Sequence, residues 1–389
     1  MTMHPTTTTL YFGPWYRRSP FFDATQRAGC RAYDVYNKMY LPAEYDDPAV
    51  EYQALQEGVT LWDVGCERTV EISGPDADGL VDMLTCRDLT RCAVKQCKYM
   101  LVTAPDGGIV NDPVLLHVDE NVWWMQLADS DAGLYALGAL SQLGLDATVS
   151  YPDVHPVQVQ GPLSGRTLGK LVGEGIFDLR YYWCDRFRIG DIPVVISRTG
   201  WSAVPGFEVN LLDGSRGDDL WDALMDAGAE FGIRPIAPNE ARRVEAGIFN
   251  CGSDFTMADT PFHIMGLERL VEEQPQDYVG KAALERIRAE GVDRKLVGID
   301  LDGPPLPGIS TAWPASHDGR RVGRVTDAVW SPGLGRNIGY VWVPIELAEP
   351  GTRLEVESEH GRLTGMTAPI PFVDPRKERP AQPLIRSAG

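Results

Sequence analysis

The stretch Lys98–Val118, KYMLVTAPDGGIVNDPVLLHV, decides how this chain is built. Two apolar β-type segments, Lys98–Thr103 and Val110–Val118, flank Pro105-Asp106-Gly107-Gly108. Asp and Gly accept the backbone angles that tight turns demand, so the two segments are expected to pair as a hairpin. Upstream, Thr69–Ile72 reads as a strand and Asp76–Leu84 carries apolar residues at helical spacing. Downstream, Val122–Ala128 reads as a strand and Ala132–Gln142 as a helix. Strand, helix, hairpin, strand, helix is the order of a small α+β domain of ferredoxin-like type.

Further out, Val157–Gln160, Val194–Arg198 and Gly206–Leu212 read as strands of a second layer. Asp218–Ala229 and Pro238–Gly247 read as helices, the latter with Pro238 or Asn239 near its start. Past residue 293 the pattern changes to short strands cut by Gly and Pro: Lys295–Leu301, Arg321–Val329, Ile338–Val343 and Arg353–Glu357. That pattern predicts a separate all-β module. Tyr11, Trp15, Tyr16, Phe21 and Phe22 predict an N-terminal arm packed on the body, with its first eight or so residues loose. The Pro- and Arg-rich end, Pro375–Gly389, is expected to be ordered only in part.

The chain has 389 residues, 43% hydrophobic and 23% charged, which is a globular composition large enough for more than one domain. A net charge of -19 repels phosphate backbones and sets nucleic acid aside as a partner. Seven cysteines, with no CxxC pair, point to neither a disulfide framework nor a zinc site. Neither a secretory signal nor a membrane-length apolar run is present, so a soluble, cytoplasmic protein is expected.

Several residues carry candidate chemistry. Asp112 closes the hairpin at a strand edge, where a carboxylate either ends a turn or meets a polar ligand. Glu208 lies in a strand that otherwise reads Phe-x-Val-x-Leu. A buried carboxylate there needs donors, and an amino-pyrimidine ring could supply two parallel N–H bonds. Tyr99 either lines a pocket or packs in the sheet. Glu240–Gly247, followed by Ser253-Asp254 and Thr260-Pro261-Phe262, reads as a salt-bridged solvated face. Trp15, Trp123, Trp124, Trp183, Trp201, Tyr181 and Tyr182 form an aromatic surplus of the kind that can hold a cation.

In this order the motifs resemble the T-protein (aminomethyltransferase) superfamily over roughly residues 30–375. They include Leu61-Trp62-Asp63-Val64, Gly108-Ile109-Val110-Asn111-Asp112, Arg198-Thr199-Gly200-Trp201 with Gly206-Phe207-Glu208, Arg243-Val244-Glu245-Ala246-Gly247, Tyr278-Val279-Gly280-Lys281, and Ser331-Pro332 with Pro371-Phe372. The resemblance implies an α+β ring of three domains around a central folate channel. Residues 1–292 would form the folate-binding region of two interleaved α+β domains, one roughly 66–150. Residues 293–376 would form a β-rich barrel of jelly-roll-like type, and 377–389 a tail. The family has Tyr at the position of Trp201, Thr-Gly-Glu at Ser202-Ala203-Val204, and a paired Asp-Asp at Asn111-Asp112. These departures point away from glycine cleavage itself. Tyr36-Asn37-Lys38-Met39-Tyr40-Leu41-Pro42, Thr85-Cys86-Arg87-Asp88-Leu89 and Asn111-Asp112-Pro113-Val114-Leu115-Leu116 are more similar to the dimethylsulfoniopropionate demethylases of that superfamily.

The resemblance implies transfer of a methyl group from a small methylated molecule to tetrahydrofolate. The donor would be a sulfonium or N-methyl compound. Alternatives are O-demethylation of a methoxylated aromatic acid, glycine-cleavage aminomethyl transfer, and a regulatory folate-binding role. O-demethylation would need an acid or cation at the leaving oxygen, for which Lys98, Tyr99 and Arg198 are candidates. Asp112 is the expected catalytic residue. Tyr99, Trp201, Glu208 and Arg198 are expected around the cofactor, and Trp183, Tyr36 and Trp15 around the substrate, with no metal. A small methylated molecule is the expected partner, without nucleic acid or membrane, and a homodimer is the candidate assembly.

Overall fold

The computed structural model describes residues 11–386. The N-terminal residues expected to be loose and the last three residues of the tail lie outside them. Among the described residues no helix is long and apolar enough to cross a membrane.

Two sheets and a barrel carry the architecture. The deciding hairpin forms, but as two short ladders instead of one. Cys97–Tyr99 pairs with Val114–Asp119, and Val102–Thr103 pairs with Ile109–Asn111. Pro113 has no N–H to give the ladder, so Asp112-Pro113 breaks the strand and leaves Asp112 at a step. The first ladder joins a five-stranded antiparallel sheet that also holds Thr69–Ser73, Val122–Gln126 and Thr148–Ser150. Helices Ala77–Leu84 and Ala132–Leu143 lie with it, and Leu80, Val81, Leu84 and Ala136 enter its core.

The second sheet has six strands, with Gly206–Leu211 between His155–Gln160 and Ile192–Ser197. One of its strands, Thr60–Asp63, comes from upstream of the first sheet, so the two sheets interleave along the chain. That strand was not among the expected ones. The N-terminal arm anchors here through Phe21, which shares a core with Trp221 and Phe207, whereas Trp15 stays in solvent.

Beyond residue 293 six strands close into an antiparallel barrel, from Arg294–Leu301 round to Gly361–Ala368. Two of them, Trp313–His317 and Gly361–Ala368, escaped the sequence pattern because Pro314 and Gly365 interrupt their apolar alternation.

The helix Glu240–Glu245 corrects an expectation. It is no solvated face: Arg242, Arg243 and Glu245 are all buried. Arg242 donates to Glu245 at 2.8 Å and to the carbonyls of Ser202 and Ala203 in the second sheet's loop. Arg243 reaches Asp254 at 2.9 Å and Asp327 of the barrel. Glu245 also receives Tyr52 and the barrel's Ser331. Asn239 caps the helix, accepting from the Arg242 N–H as its position suggested.

Removing one partner of such a network strands the remaining charges in a dry interior. Arg243→Leu is therefore expected to lower unfolding stability by about 3–5 kcal/mol in urea titrations. An unchanged midpoint would show that the network contributes nothing.

Candidate active site

A cavity of about 800 Å³ lies where the two sheets, the barrel side and the returning C-terminal segment meet. Its volume is within the range of sites that take a cofactor and a small ligand. Tyr36, Tyr99, Asp112, Trp201 and Glu208 all line it.

Glu208 owes its position to strand register. In the second sheet it stands opposite Gln158 on one side and Ser197 on the other. Gln158 Nε2 donates to it at 2.9 Å, Ser197 Oγ at 3.4 Å, and the Thr199 hydroxyl is the third donor. Phe207, its neighbour, faces the opposite way into the core, as strand alternation requires. Burial raises the Glu208 carboxyl above its ordinary value, and the Thr199, Ser197 and Gln158 bonds pull it back. The loop after Thr199 is closed over Gln160, whose side-chain amide donates to the carbonyls of Thr199 and Phe207. A Cβ at Gly200 or Gly206 would stand 2.2 or 2.3 Å from that amide group, so only glycine lets the loop close and present Trp201.

Asp112 sits at the step made by Pro113. Tyr99 Oη donates to its Oδ2 at 2.8 Å, while its Oδ1 is buried without a partner. Asn111 beside it braces the scaffold, since its amide holds the Ala128 backbone and Ser130 Oγ. Tyr36 arrives on the hairpin Ala32–Tyr36/Met39–Glu44, which turns through Asn37 and Lys38, both at positive φ. Asn37 pins that turn by donating to the carbonyls of Cys66, Leu127 and Ala128.

Three expected residues are not brought to the cavity. Arg198 follows Ser197, which faces Glu208, so alternation sends it to the other side. There it is buried against the carbonyls of Leu179, Pro380 and Gln382 and holds the C-terminal segment. Trp183 packs on the second sheet's core with the Arg180 guanidinium 3.6 Å over its ring. Trp15 is 87% exposed.

The cavity also holds groups that sequence reasoning missed. Glu67 lines it from the irregular crossover between Thr60–Asp63 and Thr69–Ser73, where no periodicity marks a residue. Arg87, Lys98, Arg269 and Lys377 line it too, and of these only Lys98 had been a candidate. Burial and nearby Arg269 push the Lys377 ammonium down to about 8. Burial raises the Asp112 carboxyl, the Tyr99 bond pulls it back and Asp254 adds to the rise, while burial and then the Glu208 charge raise Glu67. The site is therefore acidic where Glu67, Asp112 and Glu208 converge, and basic elsewhere on its wall.

A family model described as the GCVT N-terminal domain matches residues 21–274, and that of the glycine cleavage T-protein C-terminal barrel domain matches 294–374. The chain belongs to the glycine-cleavage T-protein family. Within it, the chain is 37% identical to dimethylsulfoniopropionate demethylase DmdA of Ruegeria pomeroyi over 89% of its own length and 94% of that protein. It is 27% identical to an aminomethyltransferase of Saccharopolyspora erythraea over 92% and 96% of the two chains. It is also 32% identical to a trimethylamine-oxide aldolase of Ruegeria pomeroyi, covering 86% of this chain and 44% of that protein. The aminomethyltransferase T of the Bartonella henselae glycine cleavage system shares the fold, with a TM-score of 0.83 at 18% identity over 95% of this chain and 99% of that one. As a T-protein family member the chain is a tetrahydrofolate-dependent transferase of one-carbon groups. Its cavity fits that cofactor on its own evidence: a buried Asp112 oxygen without a partner calls for a donor brought by a ligand.

Burial pushes the Asp112 carboxyl from 3.8 up to about 7. A carboxyl raised in the folded state is costly once it ionises. Its contribution is neutral below the unfolded value and turns destabilising as pH rises towards the folded one. Wild type should therefore lose roughly 2 kcal/mol of stability relative to Asp112→Asn between pH 5 and pH 8. Denaturation midpoints that move in parallel for the two proteins would refute the shift.

Proposed function

We propose that this T-protein family member is a demethylase. It would move a methyl group from a small methylated molecule, dimethylsulfoniopropionate or a related sulfonium or N-methyl compound, to tetrahydrofolate, in the cytoplasm. The observation that carries it is the acidic interior of the cavity, where Glu208 and an Asp112 with one unpartnered oxygen share the wall with Tyr36, Tyr99 and Trp201. The likeness to a dimethylsulfoniopropionate demethylase over nearly the whole chain supports the donor. Seven unpaired cysteines, most of them buried, accord with a reducing compartment.

The roles follow from the geometry. Glu208 accepts the N–H groups of the pterin ring, its carboxylate held in place by Gln158, Thr199 and Ser197. Tyr99 fixes Asp112 at the cavity wall through Oδ2. Trp201 and Tyr36 offer aromatic faces to the donor. Arg87, Lys98, Arg269 and Lys377 suit the carboxylates of the folate tail. When bound, tetrahydrofolate supplies the nucleophilic nitrogen. A sulfonium leaves as a neutral thioether, so no protein group has to protonate it. The protein's share is alignment and exclusion of water, which suffices for a large part of the barrier.

Incubation with tetrahydrofolate and a donor panel tests this, with methyl-tetrahydrofolate followed by mass spectrometry. Product is expected from dimethylsulfoniopropionate or another onium donor. Product from vanillate or syringate alone would overturn the donor class. Glu208→Gln is expected to weaken tetrahydrofolate binding about tenfold or more. Folate affinity equal to wild type would remove Glu208 from the pterin site.

A further inference from the structure

We propose that Glu67 is the counter-charge for the donor's onium centre. It would be the residue by which this site prefers a methylated sulfonium or quaternary ammonium over an uncharged molecule of the same shape. The assignment rests on the methyl-transfer function above and adds the residue that reads charge.

Glu67 lines the cavity from the crossover that links the two sheets. Its backbone N–H closes a turn on Val64 at 2.9 Å, which holds the residue in place. Among the described residues its carboxylate meets no hydrogen-bond donor and no basic side chain. The other three acidic residues of the cavity are engaged: Tyr99 donates to Asp112, three side chains donate to Glu208, and Arg87 pairs with Glu272. Tyr36 lines the same cavity, and burial first, then the charges of Asp112 and Glu67, disfavour ionisation of its phenol. Glu67 is half-buried, and a carboxylate drawn partly out of water without donors or counter-ion is costly. The neighbouring Glu208 adds repulsion, so Glu67's carboxyl sits well above the usual carboxylate range. Folate's pterin offers N–H donors and suits Glu208. An onium centre offers none; what it brings is diffuse positive charge, which requires an unshared carboxylate and aromatic faces. Glu67 and Tyr36 offer both in one cavity: an onium donor would hold the Glu67 carboxyl in its ionised form, whereas an uncharged donor gives it no such partner.

The test compares full-length wild type with Glu67→Gln, an isosteric change that keeps size and polarity. Probes are dimethylsulfoniopropionate, glycine betaine, and 4-methylpentanoate, in which carbon replaces the sulfonium sulfur. Wild type is expected to bind its onium donor at least about tenfold more tightly than 4-methylpentanoate. Glu67→Gln should bring that ratio close to one by raising the donor's KM, with tetrahydrofolate affinity and 4-methylpentanoate binding retained. Glu67→Asp should restore part of the preference. A wild-type ratio that survives in Glu67→Gln overturns the assignment while leaving the methyl-transfer function standing. Loss of tetrahydrofolate affinity in Glu67→Gln overturns it in favour of a pterin contact. Wild type that forms no methyl-tetrahydrofolate from any onium donor would instead bring down the function on which the assignment rests.

Discussion

The buried ionic hub on Glu240–Glu245 is what the rest of the structure depends on. Two adjacent arginines on one short helix point to different bodies. Arg242 takes the loop that carries Trp201, and Arg243 takes Asp254 and the barrel's Asp327. Glu245 closes the set with Tyr52 and Ser331. Ionic groups in a dry interior are strongly directional and tolerate little misplacement. A hub of this kind does less for net stability than an apolar core of equal volume would. It does tie the barrel to the loop that carries Trp201.

The cavity wall shows a second constraint at work. Among the described residues Glu67, Asp112 and Glu208 share the wall without a basic partner, while two of its cations are engaged outside that cluster. Arg87 is paired with Glu272, and Lys98 donates to the Asp88 carbonyl. Electrostatic strain of this sort is tolerated at functional sites because a ligand relieves it. Arg198, only ten positions before Glu208 in the sequence, is turned away from it by strand alternation and secures the C-terminal segment instead.

Periodicity and turn chemistry made the larger elements legible. The hairpin around Gly107-Gly108, the helices Ala77–Leu84 and Ala132–Leu143, and four of the barrel strands follow from local pattern. Glu208 was legible for the same reason, since an acid in an apolar strand breaks a rule that physics enforces. Local pattern failed where a proline or glycine interrupts alternation, as at Pro314, and where the residue lies in irregular backbone, as Glu67 does. It also misjudged the Glu240–Glu245 helix. Charged residues spaced three and four apart read the same whether they face water or a buried partner.

Sequence alone settled the class of the fold, the family, and which acidic and aromatic residues were worth watching, because those depend on local spacing and on motifs kept in order. Tertiary structure alone decided which of those residues share a cavity. Tyr36, Tyr99, Asp112, Trp201 and Glu208 come together, while Arg198, Trp183 and Trp15 are sent elsewhere. The physical reason is that a side chain's destination is set by strand register, by the hand of a turn and by contacts between bodies far apart in the chain. None of these leaves a mark on the residue itself.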